Sequence, residues 1–168
     1  MMFTHTALAQ GNLMPGVELQ AYPAGIITSV QLSYIYSDKQ LLTFNIGLNN
    51  TNRRDWGEHD NEEGSGSGFG LAWRHYLRNA ARGLNLGLRT DFWFLAIDWE
   101  QDSGASGTSD ITVFQPTAQL GYSLPLQNGR WIIHGSVSLG AEINVQTSGQ
   151  PVGEGAILLL GLSAGYRL

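Results

Sequence analysis

Four groups of residues have types and spacing that suggest chemistry. Gly161-Leu162-Ser163-Ala164-Gly165 reads G-x-S-x-G, the pattern of a nucleophile elbow. An elbow needs a helix after the serine and a histidine later in the chain. Only Tyr166, Arg167 and Leu168 follow, so the motif reads as small residues on a closing strand. His134, Ser136 and Glu142 have even numbers within one segment and would share a strand face. They have the residue types of a base, a nucleophile and an orienting acid. Glu18, Arg74, Arg89, Asp91 and Glu142 fall on the polar phase of their segments. If that face is enclosed, the charges must pair, because a lone buried charge is strongly destabilising. The expected network sets Arg74 and Arg89 against Glu18, Asp91 and Glu142. The fourth group is Arg53-Arg54-Asp55-Trp56-Gly57-Glu58-His59-Asp60-Asn61-Glu62-Glu63. Its carboxylates do not follow the spacing of a calcium loop. Arg53, Arg54 and Trp56 have instead the composition of a partner-contact loop. No residue is assigned to catalysis, to a cofactor or to a metal.

The elements that position these groups follow from composition and periodicity. The chain has 168 residues, one domain's worth, and no cysteine, which excludes disulfides and thiolate chemistry. Net charge is −5 with no basic run, a poor match to nucleic acid. Charged residues are 14%, against roughly 25% in ordinary soluble domains. Lys39 is the single lysine. No apolar run is long enough for a transmembrane helix. Ala7-Leu8-Ala9 before Gln10 fits a signal-peptide cleavage site. Residues 1–9 are therefore read as the residual tail of a signal peptide, with one domain over 10–168.

The dominant signal is period two. Val30, Leu32, Tyr34 and Tyr36 alternate with Gln31 and Ser33; Leu42, Phe44, Ile46 and Leu48 with Thr43, Asn45 and Gly47. Leu84, Leu86 and Leu88 alternate with Asn85, Gly87 and Arg89, and the run continues through Phe92 and Phe94. Similar alternation recurs around Val17, Phe69, Leu120, Val137 and Leu160. Such patterns are strands with one apolar and one polar face, and they number eight. Asn128-Gly129 is a strong hairpin signal. The second, fourth and sixth connections are short. The third (Asn49 to Ser67), fifth (Gln101 to Asp110) and seventh (Gln146 to Gly153) are long and polar. The first, Pro23-Ala24, is short at the long-loop end.

Eight such strands close as an up-and-down barrel, either a soluble lipocalin-like binder with its apolar face inward or a transmembrane barrel with that face outward. Three observations favour the second. The polar face is Gly, Ser, Gln and Asn with scattered charges, suited to a tight lumen. Strands of roughly 10 residues match a tilted bilayer crossing. Tyr36, Tyr122, Trp131 and Tyr166 lie on the apolar phase at the short-turn end, as an aromatic girdle would. Phe69, Phe92 and Phe94 are candidates for a second belt.

With short turns alternating with long loops and a last strand ending Ala164-Gly165-Tyr166-Arg167-Leu168, the chain resembles the small eight-stranded outer-membrane β-barrels of Gram-negative bacteria, the OmpA/OmpX-like group. The resemblance covers nearly the whole mature chain and is one of pattern. It departs at the end, where such barrels usually carry an aromatic and this chain has Leu168. It implies an outer-membrane protein crossing the membrane many times. Both termini would be periplasmic, with no peptidoglycan-binding domain after the barrel. The surroundings would be a lipid bilayer and lipopolysaccharide, with other outer-membrane proteins as partners. Lipid A deacylases are similar barrels that use a His/Ser/Glu set, but they act in the outer leaflet. His134 lies just after the tight Asn128-Gly129 turn, on the lumen phase, and the surroundings of their motif are absent. The expected role is structural or accessory, within a packed lumen. A lipid-modifying enzyme and a soluble ligand-binding barrel are the alternatives.

Overall fold

The structure, a computed structural model, describes residues 12–54 and 57–168. The expected signal tail, residues 1–9, lies outside them. Eight antiparallel strands close on themselves in sequence order: β1 (Leu13–Tyr22), β2 (Gly25–Ser37), β3 (Gln40–Arg54), β4 (Asn61–Tyr76), β5 (Gly83–Glu100), β6 (Ser106–Leu126), β7 (Trp131–Ser148) and β8 (Gly155–Tyr166). The last strand pairs with the first, from Gly16 with Gly165 to Ala21 with Leu160. The β6–β7 turn puts Gln127, Asn128 and Gly129 all at positive φ, a conformation that Asn and Gly tolerate best.

Through the middle of the barrel, alternation is apolar-out and polar-in. Leu32, Leu42, Leu88, Leu120, Leu139 and Leu160 are exposed on the outer wall. Gln31, Thr43, Asn45, Arg89, Gln119 and Ser138 are buried inside it. In water that arrangement would expose a continuous apolar wall; in a bilayer it satisfies both faces.

At the long-loop end the strands outrun the expected loops. β3 continues to Arg54 and β4 begins at Asn61, so the third connection is confined between them rather than spanning Asn49 to Ser67. The fifth narrows to residues 101–105 and the seventh to 149–154. The physical reason is a reversal of polarity along the strands. On β5 the outward series Leu84, Leu86, Leu88 gives way to Asp98 and Glu100. The inward series Asn85, Arg89, Asp91 gives way to Trp93, Leu95 and Ile97. Above the lipid-facing belt the wall thus becomes polar outside and apolar inside, as a soluble protein is.

This divides the lumen into layers. Met14, Ile35, Leu41, Tyr76, Ala81 and Ile132 form an apolar floor at the short-turn end. A polar layer follows. A second apolar cluster contains Tyr22, Ile27, Trp93, Leu95, Ile97, Ile111, Val113, Ile157 and Leu159, with Val152 inserted from the β7–β8 loop.

Candidate functional site

The polar layer is built around Arg89, on β5 between the outward Leu88 and Thr90. Its Nη1 donates to Glu18 Oε2 at 2.6 Å, its Nε to Asp91 Oδ2 at 2.7 Å and its Nη2 to Asp91 Oδ1 at 3.0 Å. Nη2 also donates to Asn45 Oδ1 at 3.3 Å, and Ser29 Oγ to Glu18 at 3.4 Å. The Arg89 and Glu18 side chains are only 2% and 1% exposed. One guanidinium thus faces two carboxylates, with neutral dipoles around them. Gly70 makes room for this cluster, since a methyl there would overlap the Asp91 carboxylate and approach Asn45 Oδ1.

The expected network is only partly assembled. Arg74 does not meet a carboxylate; its Nε donates to Gln119 Oε1 at 3.0 Å. Glu142 joins neither Arg74 nor Arg89. It lies at the long-loop end and takes two bonds from Arg53 Nη2, both 3.1 Å. The strand face carrying both Arg74 and Glu142 is legible in the sequence, but their height along the tilted barrel is not. His134 is buried near the floor, with its Nδ1 3.0 Å from Ser123 Oγ, which lies 3.0 Å from the Tyr76 hydroxyl. Its sequence neighbours Ser136 and Glu142 are not its partners, so the His/Ser/Glu set does not come together. A cavity of about 20 Å³, lined by Arg74, Tyr76, Ser123 and His134 among others, lies in this part of the lumen. That is room for one water-sized molecule.

The rim holds a second cluster that sequence reasoning missed. Arg53, expected in a loop that contacts partners, is an inward, buried residue of β3 and is not exposed to a partner. Its Nη1 donates to Glu62 Oε2 at 3.4 Å and to the Gly153 carbonyl at 2.5 Å. The buried Glu62 carboxylate accepts the N–H groups of Gly153 (3.0 Å to Oε2), Glu58 (2.9 Å) and His59 (3.3 Å), and lies 3.1 Å from His59 Nδ1. His59 stacks on Trp99 with centroids 4.4 Å apart. The cluster clasps the β7–β8 loop, through Gly153, onto the inner face of β3 and β4. Glu62 stands above the lipid-facing belt. Burial pushes its carboxyl up, but the Gly153, His59 and Glu58 hydrogen bonds and the Arg53 charge outweigh this and hold it below the ordinary 4.5. Alternation in residues 49–54 is the signal for Arg53: Asn49, Thr51 and Arg53 continue the inward phase of Asn45. Arg54 is exposed, and Trp56 lies outside the described residues.

The outer wall carries aromatics at both edges. At the short-turn end Tyr36, Tyr122 and Trp131 are exposed and Tyr166 is half-buried. Trp131 and Tyr166 meet edge-on, centroids 5.3 Å apart. Trp73, also on this edge, donates from Nε1 to the Tyr36 hydroxyl at 2.7 Å, and Tyr36 donates to Gln40. Higher up, Phe69, Phe92 and Phe94 gather with Phe114; the Phe69–Phe92 and Phe92–Phe114 centroids are 5.7 and 5.2 Å apart.

No protein-family model and no curated protein matches the chain. Solved structures do. A major outer membrane protein from Thermus thermophilus superposes with a TM-score of 0.59 at 13% identity, over 95% of this chain and 100% of that one. Neisserial surface protein A gives 0.58 at 8% identity, over 95% and 98%. Ail, the attachment invasion locus protein of Yersinia pestis, gives 0.57 at 9% identity, over 95% and 100%. At such identities it is the architecture that is shared. The chain has the fold of the small eight-stranded outer-membrane β-barrels.

Proposed function

We infer that this protein is a non-catalytic barrel of a bacterial outer membrane with a structural or accessory role. Its wall anchors it among lipid and lipopolysaccharide, and its rim is presented to other outer-membrane proteins. The observation that carries the reading is the filled lumen. Between its two apolar layers the Arg89 charge is held by Glu18 and Asp91, which supports a packed interior over an open channel.

Two measurements test it. Extracted from native membranes in mild detergent, the protein is expected in the detergent phase. A particle of monomer mass plus micelle identifies a free-standing barrel, and a much larger one identifies a subunit whose companions co-purify. Recovery in the aqueous fraction without detergent refutes the membrane reading. Reconstituted into planar bilayers, the protein is expected to give no conductance steps; reproducible steps refute the sealed lumen.

A further inference from the structure

The rim is uneven, and its low side is where the wall can be crossed. β1 ends at Tyr22 and β2 begins at Gly25, whereas β3 through β7 rise well above that turn. β8 therefore has no β1 partner over Gly155–Leu159. A cavity of about 480 Å³ occupies this notch. Its mouth is the exposed, lipid-facing Leu139, Ala156 and Leu158, and its inner end reaches the buried Arg53 and Glu142. The cavity thus joins the apolar outer wall to a charged group beside the low β1–β2 turn. Its size is that of an ordinary small-ligand site.

The charge lining it is unbalanced. Glu142 and Glu154 both line it, against the single guanidinium of Arg53. That guanidinium is already shared with Glu62, at 3.4 Å. Glu154 uses Oε2 to accept the Asn144 N–H at 2.7 Å. An anionic group would meet excess negative charge there, whereas an ammonium would be attracted.

We propose that this notch is a lateral binding site for a membrane amphiphile with a primary ammonium head, its chain along Leu139, Ala156 and Leu158 and its head toward Glu142 and Glu154. The proposal rests on the membrane reading given above. The test uses the full protein in phosphatidylcholine vesicles with a spin-labelled long-chain alkylammonium or a spin-labelled long-chain alkyl phosphate. The motionally restricted fraction of each label reports association with the wall. Wild type is expected to favour the ammonium by about three- to fivefold, the factor that one charge pair about 4 Å apart in water supplies. Ala156→Trp, which fills the mouth from an exposed position, abolishes the preference. Glu154→Gln, an exposed change, reduces it by about half, while Glu63→Gln, an exposed acid on β4, leaves it unchanged. Equal association of the two labels, preference for the phosphate, or an equal loss in the Glu63→Gln control overturns the proposal. Absence of a restricted fraction for either label instead overturns the membrane reading itself.

Discussion

Arg89→Met tests the description of the lumen most directly. The guanidinium makes bonds of 2.6 and 2.7 Å to two carboxylates and two weaker ones to Asp91 and Asn45. Methionine keeps most of the apolar stem and removes every donor. Glu18 and Asp91 are then left buried without a cation. Breaking a buried pair in this way costs about 3–5 kcal/mol. With a slope of about 2 kcal/mol per M in urea, the unfolding midpoint in vesicles falls by roughly 2 M. The assay is the midpoint of urea unfolding by tryptophan fluorescence, with refolding checked at each concentration. The triple variant Glu18→Gln, Arg89→Met, Asp91→Asn removes the charges together and is expected to recover most of the loss. Arg89→Lys, which keeps the charge and loses the fork, lies between. A midpoint shift of less than about 0.5 M for Arg89→Met, corresponding to about 1 kcal/mol, would refute the reasoning, because the layer would then have to be as wet as a surface site.

Three further outcomes follow. Gly70→Ala drives a methyl into the Asp91 carboxylate and is expected to destabilise by about 1–3 kcal/mol in the same assay, whereas Gly135→Ala, where an added methyl meets nothing within 4 Å, stays well below that. The Glu62 clasp has a definite pH dependence: a carboxyl held below its ordinary value stabilises the closed loop above that value and releases it as pH falls through the lowered one. Amide exchange at residues 149–154, relative to that of an unprotected amide at the same pH, is therefore expected to remain slow at pH 5 and to rise only on further acidification, and Glu62→Gln is expected to raise it already at pH 7. A double-mutant cycle on Trp131 and Tyr166 is expected to give a coupling of about 0.5–1.5 kcal/mol, measured as thermal stability in detergent; no coupling would mean that the edge-on pair is incidental.

Much of the architecture was legible because a barrel imposes one simple rule on every strand. Alternation in Leu42–Leu48 and Leu84–Leu88 assigned each residue to a face, and the small polar residues of one face, the strand lengths and the short-turn aromatics together pointed to the face that meets lipid. Two things escaped that rule. In β5 the run Phe92-Trp93-Phe94-Leu95-Ala96-Ile97 is apolar on both faces, because the outer wall is leaving lipid just as the inner face becomes an apolar core. Read as a single pattern, such a stretch hides the change of surroundings, and polar outward residues beyond it look like loop. Pairing across the lumen escaped as well. Arg74 and Glu142 share the inward phase, yet tilt and stagger place them at different heights. Arg53 and Glu142 are 89 positions apart in the chain and meet at the rim. Sequence gives a strand's face readily and its height only through the register of every neighbour between.

The short first hairpin also sets the order of assembly. Seven of the eight strand junctions join consecutive strands across a turn or a modest loop, so each can form as a local event. The eighth joins the two ends of the chain and zips only from Gly16 to Ala21 on β1. Loop-closure entropy makes that junction the costliest to initiate, and its shortness makes it the least rewarded once made. The open sheet preceding it carries two unpaired edges, on β1 and β8, each able to recruit a foreign strand. Closure of this seam is thus expected to be the late step of folding, and a chain shortened at β1 is expected to persist as an open, aggregation-prone ribbon even with its hairpins formed.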